Sequence, residues 1–287
     1  MKGEAVCHGA ATIVNAIATG KGAAFGIGLR TWAEVELVDA KGIEVEIEGF
    51  EEEDPRLVRR CVENVLQTYA KDEGYGAKVR TKSEIPVSKG LKSSSAAANA
   101  VVTATLRALG SSCDPLEVIR IGTRSAIEAG VSVTGAFDDA CASYFGGVVL
   151  TDNAKEEVLR RDTMRTDLKV IIDVPSFQIR KGDLPLERIK SLREMVDIAF
   201  DIALSGDYLS ALTLNGLCYS AALGLDQTPS LEALRRGAKA AGLSGTGPAT
   251  VILVERRAAD EFINAFPKKD SLVVTDVFNG NEMGASP

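Results

Sequence analysis

The chain has 287 residues and a formal net charge of −7, and it is 45% hydrophobic, 5% aromatic and 25% charged. This length allows two lobes around a shared cleft, and the composition is typical of a globular protein. Because the balance is acidic and no basic run interrupts it, we expect no nucleic-acid partner. No apolar stretch is long enough to cross a bilayer, so we expect no membrane partner either.

Histidine and cysteine usage excludes further classes of site. The single histidine, His8, argues against a zinc site and against a Ser-His-Asp triad. The five cysteines are scattered and contain no Cys-x-x-Cys pair. An odd, dispersed set predicts a reducing, cytoplasmic environment rather than a disulfide framework.

The N-terminal half alternates strand-like and helix-like patterns. Helical spacing of apolar residues distinguishes the helices, and apolar runs or alternation distinguish the strands. The predicted strands are 6–17, 23–38, 43–47, 77–85 and 144–150, and the predicted helices are 54–71, 94–109 and 116–129. The strand at 43–47 alternates apolar and acidic residues, as an edge strand with one wet face does.

The C-terminal half follows a polar stretch at 151–167. The predicted strands are 168–174, 249–255 and 271–277, and the predicted helices are 186–204, 208–223, 230–241 and 258–265. Together the two halves predict an α+β protein, which we divide into domains at 1–160 and 161–287.

Residues 85–98 join a predicted strand to an alanine-rich helix through a glycine- and serine-rich turn. The first turn of a helix has unpaired N–H groups and partial positive charge. Gly90 lets the backbone approach a ligand, Lys92 adds a full charge, and three serines add hydroxyl groups. A simple serine-capped helix is the alternative. Three serines with no large side chain before Asn99 favour a phosphate cradle.

This cradle is not a Walker A loop. That motif needs Gly, four residues, then Gly-Lys-Ser/Thr. The one Gly-Lys dipeptide is Gly20–Lys21, and Asn15 stands where the motif needs its first glycine. P-loop kinase chemistry is therefore excluded.

Two adjacent acids, Asp138 and Asp139, lie between a glycine turn and a run that looks buried. Buried carboxylates are costly unless they meet a cation or a donor. Glu128, at the end of the preceding helix, could return to the same space. Carboxylates with Mg²⁺ are what phosphoryl transfer needs. A solvated Asx turn explains the pair equally well at this point.

A second glycine loop, at residues 242–249, leads into the predicted strand at 249–255. Three glycines surround Ser244 and Thr246. Alone, such a loop is more often a plain turn than a ligand clamp. Together with the first loop and the acidic pair, it favours a nucleotide enzyme.

In this order the three segments resemble the GHMP kinase superfamily. Its motif Pro-x-x-x-Gly-Leu-Gly-Ser-Ser-Ala is matched by Pro86, Gly90, Leu91, Ser93, Ser94 and Ala96, with Lys92 and Ser95 replacing a glycine and an alanine. Its Ser-Gly-x-Gly-Pro motif is matched at residues 244–248. Its N-terminal Pro-Gly-Lys is only partly kept, because Ala10 replaces the lysine. Within the superfamily, residues 9–28 and the Lys92 variant are similar to the archaeal type of shikimate kinase.

The resemblance implies an N-terminal domain like ribosomal protein S5 domain 2 and a ferredoxin-like C-terminal domain. It implies ATP and Mg²⁺ as cofactors, Asp139 as base, Asp138 as a substrate-binding residue, and Ser94 and Glu128 as metal-binding residues. Lys21 is a candidate for the cation that the N-terminal motif lacks. The implied ATP-binding residues are Pro86, Val87, Ser88, Lys89, Gly90, Leu91, Lys92, Ser93, Ser94, Ser95, Ala96, Ser244, Gly245, Thr246 and Gly247.

The implied reaction is ATP-dependent phosphorylation of the 3-hydroxyl of shikimate, in the pathway to chorismate and aromatic amino acids. The alternatives are a kinase for homoserine or another small alcohol, and a non-catalytic relative that binds a metabolite. A cation must face the substrate carboxylate, and the candidates are Arg30, Arg124, Arg180 and Lys181.

Overall fold

A computed structural model gives the fold and describes residues 1–49, 53–71, 73–132, 135–177, 179, 184–267 and 269–280. The strands are β1 Lys2–Val14, β2 Lys21–Val38, β3 Ile43–Glu48, β4 Gly76–Ser83, β5 Val148–Asp152, β6 Glu157–Asp162, β7 Leu168–Asp173, β8 Ala240–Leu243, β9 Thr250–Glu255 and β10 Leu272–Asp276. The helices are α1 Arg56–Tyr69, α2 Ser93–Ala108, α3 Pro115–Glu128, α4 Phe137–Phe145, α5 Leu186–Lys190, α6 Arg193–Leu204, α7 Tyr208–Leu223, α8 Thr228–Arg235 and α9 Ala259–Ala265.

The first sheet is organised around the long strand β2. It has the order β3-β4-β2-β5-β6, and β1 pairs with β2 as an additional strand. The first part of β2 pairs with β5, and its last part pairs with β4, so the two partners share one edge. Between them, near the middle of β2, Val277 forms a bridge to Ile27 and the Phe278 N–H donates to the Gly26 carbonyl at 2.9 Å. The C-terminal segment therefore returns to the first sheet.

The second sheet is antiparallel, with the order β10-β7-β9-β8. Strands β7 and β9 are almost wholly apolar and buried, as central strands covered on both faces must be. Helices α8 and α9 contribute Ala233 and Phe262 to the core on one side of this sheet. A larger core joins the sheet to the first one through residues such as Phe25, Leu168 and Tyr219.

The two glycine loops border the larger core, to which Leu91, Leu243 and Ala249 contribute. Helix α2 packs on β1 and β2, and it is buried along most of its length because its alanines allow close approach. The loop before α2 and the loop between β8 and β9 contact each other directly. The sheets thereby position the beginning of α2 against the C-terminal half.

The α+β pattern is confirmed, and the alternating segment at 43–47 is an edge strand with one exposed face, as expected.

The prediction of a strand at 144–150 was wrong at its beginning. Tyr144 and Phe145 end helix α4, which the sequence patterns did not indicate. Gly146 and Gly147 both have positive φ and separate α4 from β5. Helix α4 was missed because it is only nine residues long and buried, so it shows little periodicity.

Three other segments also differ from the prediction. The polar stretch at 151–167 contains strand β6, and the predicted helix at 186–204 is two helices, α5 and α6. The helix predicted at 230–241 ends at Arg235, and β8 follows from Ala240. Here Gly237 has φ of 91°, which stops the helix. Gly242 in β8 allows a close approach to Gly216 of α7. The small residues that favour the prediction of a helix therefore pack a strand against α7.

The division into domains at 1–160 and 161–287 stays a prediction. Strand β6 reaches Asp162 and still pairs with β5. Within the described ranges, no helix combines the length and the apolar character that a bilayer span requires.

Candidate active site

Helix α2 begins without a side-chain cap. Its N-cap residue is Lys92, in the left-handed conformation with φ of 65°, and no side chain hydrogen-bonds to the first turn. By contrast, α3 is capped by Asp114, whose carboxylate accepts from the Leu116 N–H at 2.8 Å. The alternative of a serine-capped helix is therefore wrong for α2. Its serines and its first N–H groups form a positive, uncapped helix end of the kind that binds anions.

The two glycine loops form one cluster with strand β1. The Ser244 hydroxyl donates to the Gly90 carbonyl at 2.7 Å and accepts from the Thr12 N–H at 3.1 Å. The Thr12 hydroxyl in turn accepts from the Gly245 N–H at 2.9 Å. Gly90 has φ of 84°, and a Cβ there would collide with the Ser244 carbonyl oxygen. Glycine at position 90 is therefore required twice, for its dihedral angle and for this contact.

All three motifs meet at the ammonium group of Lys92. Lys92 Nζ lies 2.9 Å from Asp139 Oδ2, and the two side chains are only 9% and 13% exposed. A Cβ on Gly245 would lie 2.8 Å from the same Nζ, so this glycine leaves the space that the ammonium occupies. A lysine from the first loop thus reaches the acidic helix beneath the second loop.

Lys21, the sequence-based candidate for this cation, has a different environment. Its Nζ lies 5.6 Å from the centre of the Phe200 ring. The cation that faces Asp139 is Lys92, so the structure gives this place to a residue other than the candidate Lys21. Sequence motifs could not show this, because Lys92 aligns with a glycine of the superfamily motif and reaches Asp139 only through the tertiary fold.

Asp138 is buried beside Asp139 in the first turn of α4. Its Oδ1 accepts from Asn153 Nδ2 at 2.8 Å, and its N–H donates to Asn153 Oδ1 at 3.2 Å. A Cβ on Gly22 would collide with Asp138 Oδ2, so glycine makes room for this carboxyl group. The alternative of a solvated turn is wrong, since only 4% of Asp138 is exposed.

Burial, followed by the neighbouring charge of Asp139, raises the pKa of Asp138 from 3.8 to about 7, against the opposing influence of Lys92 and Asn153. The folded protein therefore holds a proton on Asp138 that the unfolded chain has already released. Because the folded state binds more protons in this window, the free energy of unfolding should fall as pH rises from about 4 to about 7.

Asp138→Asn should remove this part of the pH dependence, because an amide does not ionise. We expect the difference in unfolding free energy between variant and wild type to change across the window, in favour of the variant at the higher pH. Denaturant titrations at several pH values measure it, with exposed Asp260→Asn as control. Parallel curves for Asp138→Asn and wild type would contradict the expectation.

Glu128 is half-exposed at the end of α3. Its Oε2 accepts from Asn64 Nδ2 at 3.0 Å and lies 3.6 Å from Arg60 Nε. Among the described residues, no hydrogen bond joins it to Ser94, and no three His, Cys, Asp or Glu side chains form a ready-made metal cluster. Mg²⁺ prefers oxygen donors and is often held by one carboxylate together with substrate phosphates and water. Ser94 and Glu128 supply oxygen donors of this kind, and their role as metal-binding residues stays a prediction.

Lys89 belongs to the proposed phosphate loop, but its side chain binds main-chain carbonyls of another segment. Its ammonium donates to the carbonyls of Pro175, Ser176 and Phe177 at 2.6, 3.1 and 2.6 Å. These three bonds use all the donors that an ammonium has. In this arrangement, only the main chain of Lys89 can contact a nucleotide.

Of the four candidates for the substrate carboxylate, the structure describes two, Arg30 and Arg124. Arg30 pairs with Glu84 at 3.4 Å, and Arg124 is exposed on α3. Arg180 and Lys181 lie outside the described residues. Sequence reasoning missed Thr12 and Asn153, which hold the second loop and Asp138. No local pattern marks either residue, because each acts through a partner distant in the sequence.

Comparison with known proteins finds two family models in this chain. The family model described as the GHMP kinases N terminal domain matches residues 56–147, and the GHMP kinases C terminal model matches residues 189–271. The first match contains the loop before α2 and the acidic helix α4, and the second contains the loop after β8.

Two curated relatives and one solved structure illustrate the likeness. The shikimate kinase of Methanothrix thermoacetophila is 51% identical, over 93% of this chain and 90% of that protein. The shikimate kinase of Methanosarcina acetivorans is 49% identical, over 92% and 89%. A crystal structure of homoserine kinase from Cytophaga hutchinsonii covers 98% of this chain and 96% of its own, with a TM-score of 0.77 and 20% identity.

Proposed function

The chain belongs to the GHMP kinase family, and from that premise we propose that it is a shikimate kinase, which transfers the γ-phosphoryl group of ATP to the 3-hydroxyl of shikimate. One observation carries the chemistry. The Lys92–Asp139 pair lies where an uncapped helix end meets a second glycine loop, so a proton acceptor adjoins the proposed phosphate site. The relatives that bear the name shikimate kinase support the choice of substrate.

The phosphates of ATP bind, in this proposal, to the main-chain N–H groups and hydroxyls at the start of α2. The residues proposed for this site are 86–96 and 244–247. The uncapped helix end supports the assignment, because its N–H groups and dipole favour an anion without needing a net positive protein. The bond between Ser244 and Gly90 holds the two loops in one arrangement before the nucleotide arrives.

Asp139 receives the proton of the attacking hydroxyl. The oxygen of the hydroxyl forms the new bond to the γ-phosphorus while the bond to the leaving ADP breaks, and the hydroxyl proton passes to the carboxylate of Asp139. Its place in the first turn of α4, an uncapped helix end, keeps the negative charge of the carboxylate favourable. Lys92, 2.9 Å away, fixes one carboxylate oxygen and adds positive charge near the transferred group.

Magnesium is part of the proposal, with Ser94 and Glu128 as the residues of this chain that would hold it. When bound, the ion neutralises charge on the phosphates. Asp138 is proposed to orient the acceptor substrate, and its pairing with Asn153 fixes the direction of its carboxyl group. A cytoplasmic location is proposed from the five free cysteines, of which Cys7, Cys61 and Cys141 are buried.

An ADP-release assay with purified protein, MgATP and one alcohol at a time tests the proposed function. We expect rapid, saturable ADP release with shikimate and a kcat/KM at least about 100-fold lower with homoserine, because buried polar groups of a site reject substrates that leave them unpaired. The product should be shikimate 3-phosphate by mass spectrometry. A preference for homoserine would assign a different acceptor, and no ADP release with any alcohol would favour the non-catalytic alternative.

A further inference from the structure

The ammonium group of Lys89 lies in a cage of three consecutive main-chain carbonyls. Pro175, Ser176 and Phe177 follow strand β7, and all three of their carbonyl oxygens lie within 2.6–3.1 Å of Lys89 Nζ. Lys89 is only 8% exposed. In the part of the chain that the structure describes, it forms no ion pair with a carboxylate.

Carbonyl oxygens that converge on one point are the means by which proteins replace the hydration shell of a monovalent cation. A buried ammonium normally pairs with a carboxylate, since burial favours the neutral amine. Burial does lower the pKa of Lys89. Here carbonyl dipoles alone compensate the charge of the buried ammonium group. The ammonium group of Lys89 therefore resembles a bound potassium or ammonium ion more than a partner in a salt bridge.

The cage connects the proposed phosphate loop to the C-terminal half. Lys89 stands between Ser88 and Gly90, which both have positive φ, at 58° and 84°. Its own carbonyl accepts from the Ala249 N–H at 3.2 Å. Lys89 therefore connects the loop to two other segments. Its side chain binds the segment after β7, and its main chain binds the residue before β9. Loss of the side-chain tie should loosen a loop in which Ser88, a residue other than glycine, is held at a positive φ.

We infer that Lys89 is a positioning residue whose ammonium serves as a tethered monovalent cation, holding residues 175–177 against the phosphate loop. The inference rests on the proposed function only in taking this loop as the nucleotide site. It assigns the side chain of Lys89 no contact with phosphate. An alanine at position 89 would leave the carbonyl cage intact and open to a free cation.

The test is equilibrium binding of a non-hydrolysable MgATP analogue to Lys89→Ala in chloride salts of choline, sodium, potassium and ammonium at equal ionic strength. In choline, which is too large for the cage, we expect the Kd of the variant to rise by about tenfold, since ordering a loop on binding costs affinity. Ammonium and potassium should restore most of the loss. Wild type and exposed Lys155→Ala should respond equally to all four salts.

Two results would overturn the inference. An unchanged Kd for Lys89→Ala in choline would show that the tie does not order the loop. A raised Kd that is the same in all four salts would show that the cage accepts no free cation. Thermal unfolding in the same salts is a second readout, because ammonium and potassium should selectively raise the Tm of the variant. This measurement needs neither nucleotide nor acceptor. A failure of the proposed function would therefore leave this test intact.

Wild-type protein allows a second test of the inference if Lys89→Ala does not fold. Acylation of lysines, followed by mass spectrometry, should label Lys89 far more slowly than Lys155, whose side chain is 71% exposed. Protection of Lys89 should not depend on nucleotide. Labelling at the rate of Lys155 would show that the ammonium is not held in the cage, and protection that appears only with the ATP analogue would make Lys89 a phosphate ligand. Either result would overturn the inference.

Discussion

Asp139→Asn should lower kcat by about 10²–10⁴-fold and leave the affinity for ATP nearly unchanged. The amide keeps the shape of the side chain but cannot accept the proton of the attacking hydroxyl. The nucleotide is expected to contact the helix end and the glycine loops, not Asp139, so its binding should survive. Steady-state kinetics with shikimate and MgATP, together with direct binding of an ATP analogue, measure both quantities.

Asp260→Asn is the matched control for this variant. Asp260 also lies in the first turn of a short helix, α9, but it is exposed, and its helix packs on the second sheet. We expect Asp260→Asn to leave kcat unchanged. Turnover by Asp139→Asn within about threefold of wild type would remove Asp139 as the base, because general-base catalysis contributes much more than that.

Lys92→Met should lower kcat by about 10²–10³-fold, the range that follows removal of one preorganised donor from a site of developing charge. Methionine keeps the unbranched stem but removes the charge, so Asp139 loses the partner that fixes its carboxylate. Kinetics over a range of ATP concentrations should show the loss in kcat as well as in KM. A rise in KM for ATP alone would mean that Lys92 only binds phosphate.

The double variant Lys92→Met/Asp139→Asn tests whether the two residues act as a unit. We expect it to be little slower than the slower of the single variants, because groups that act together are strongly non-additive. Lys155→Met is the control, since the side chain of Lys155 is 71% exposed and lies outside the proposed site. Fully additive losses in kcat would contradict a shared role for Lys92 and Asp139.

Two kinds of residue in the site differ in how far the sequence predicts them. The glycine turns and the start of the helix at the serines were predictable, because they depend on local backbone geometry and on helix-start signals. Gly90 illustrates this, since its positive φ and its close contact are both of the kind that glycine permits. The side-chain roles of Lys89 and Lys92 were not predictable, because a lysine stem is long enough to reach several elements.

The sequence alone determined the α+β class, the strand–loop–helix at residues 76–108, the second glycine loop and the adjacent acids, because these follow from periodicity, turn chemistry and composition along a short stretch of chain. The tertiary structure alone decided that Lys92 rather than Lys21 faces Asp139, that Lys89 binds main-chain carbonyls, and that Asn153 holds Asp138. The physical reason is that long side chains and buried charges take their partners from whatever the packing of distant segments brings near, and no local pattern encodes that choice.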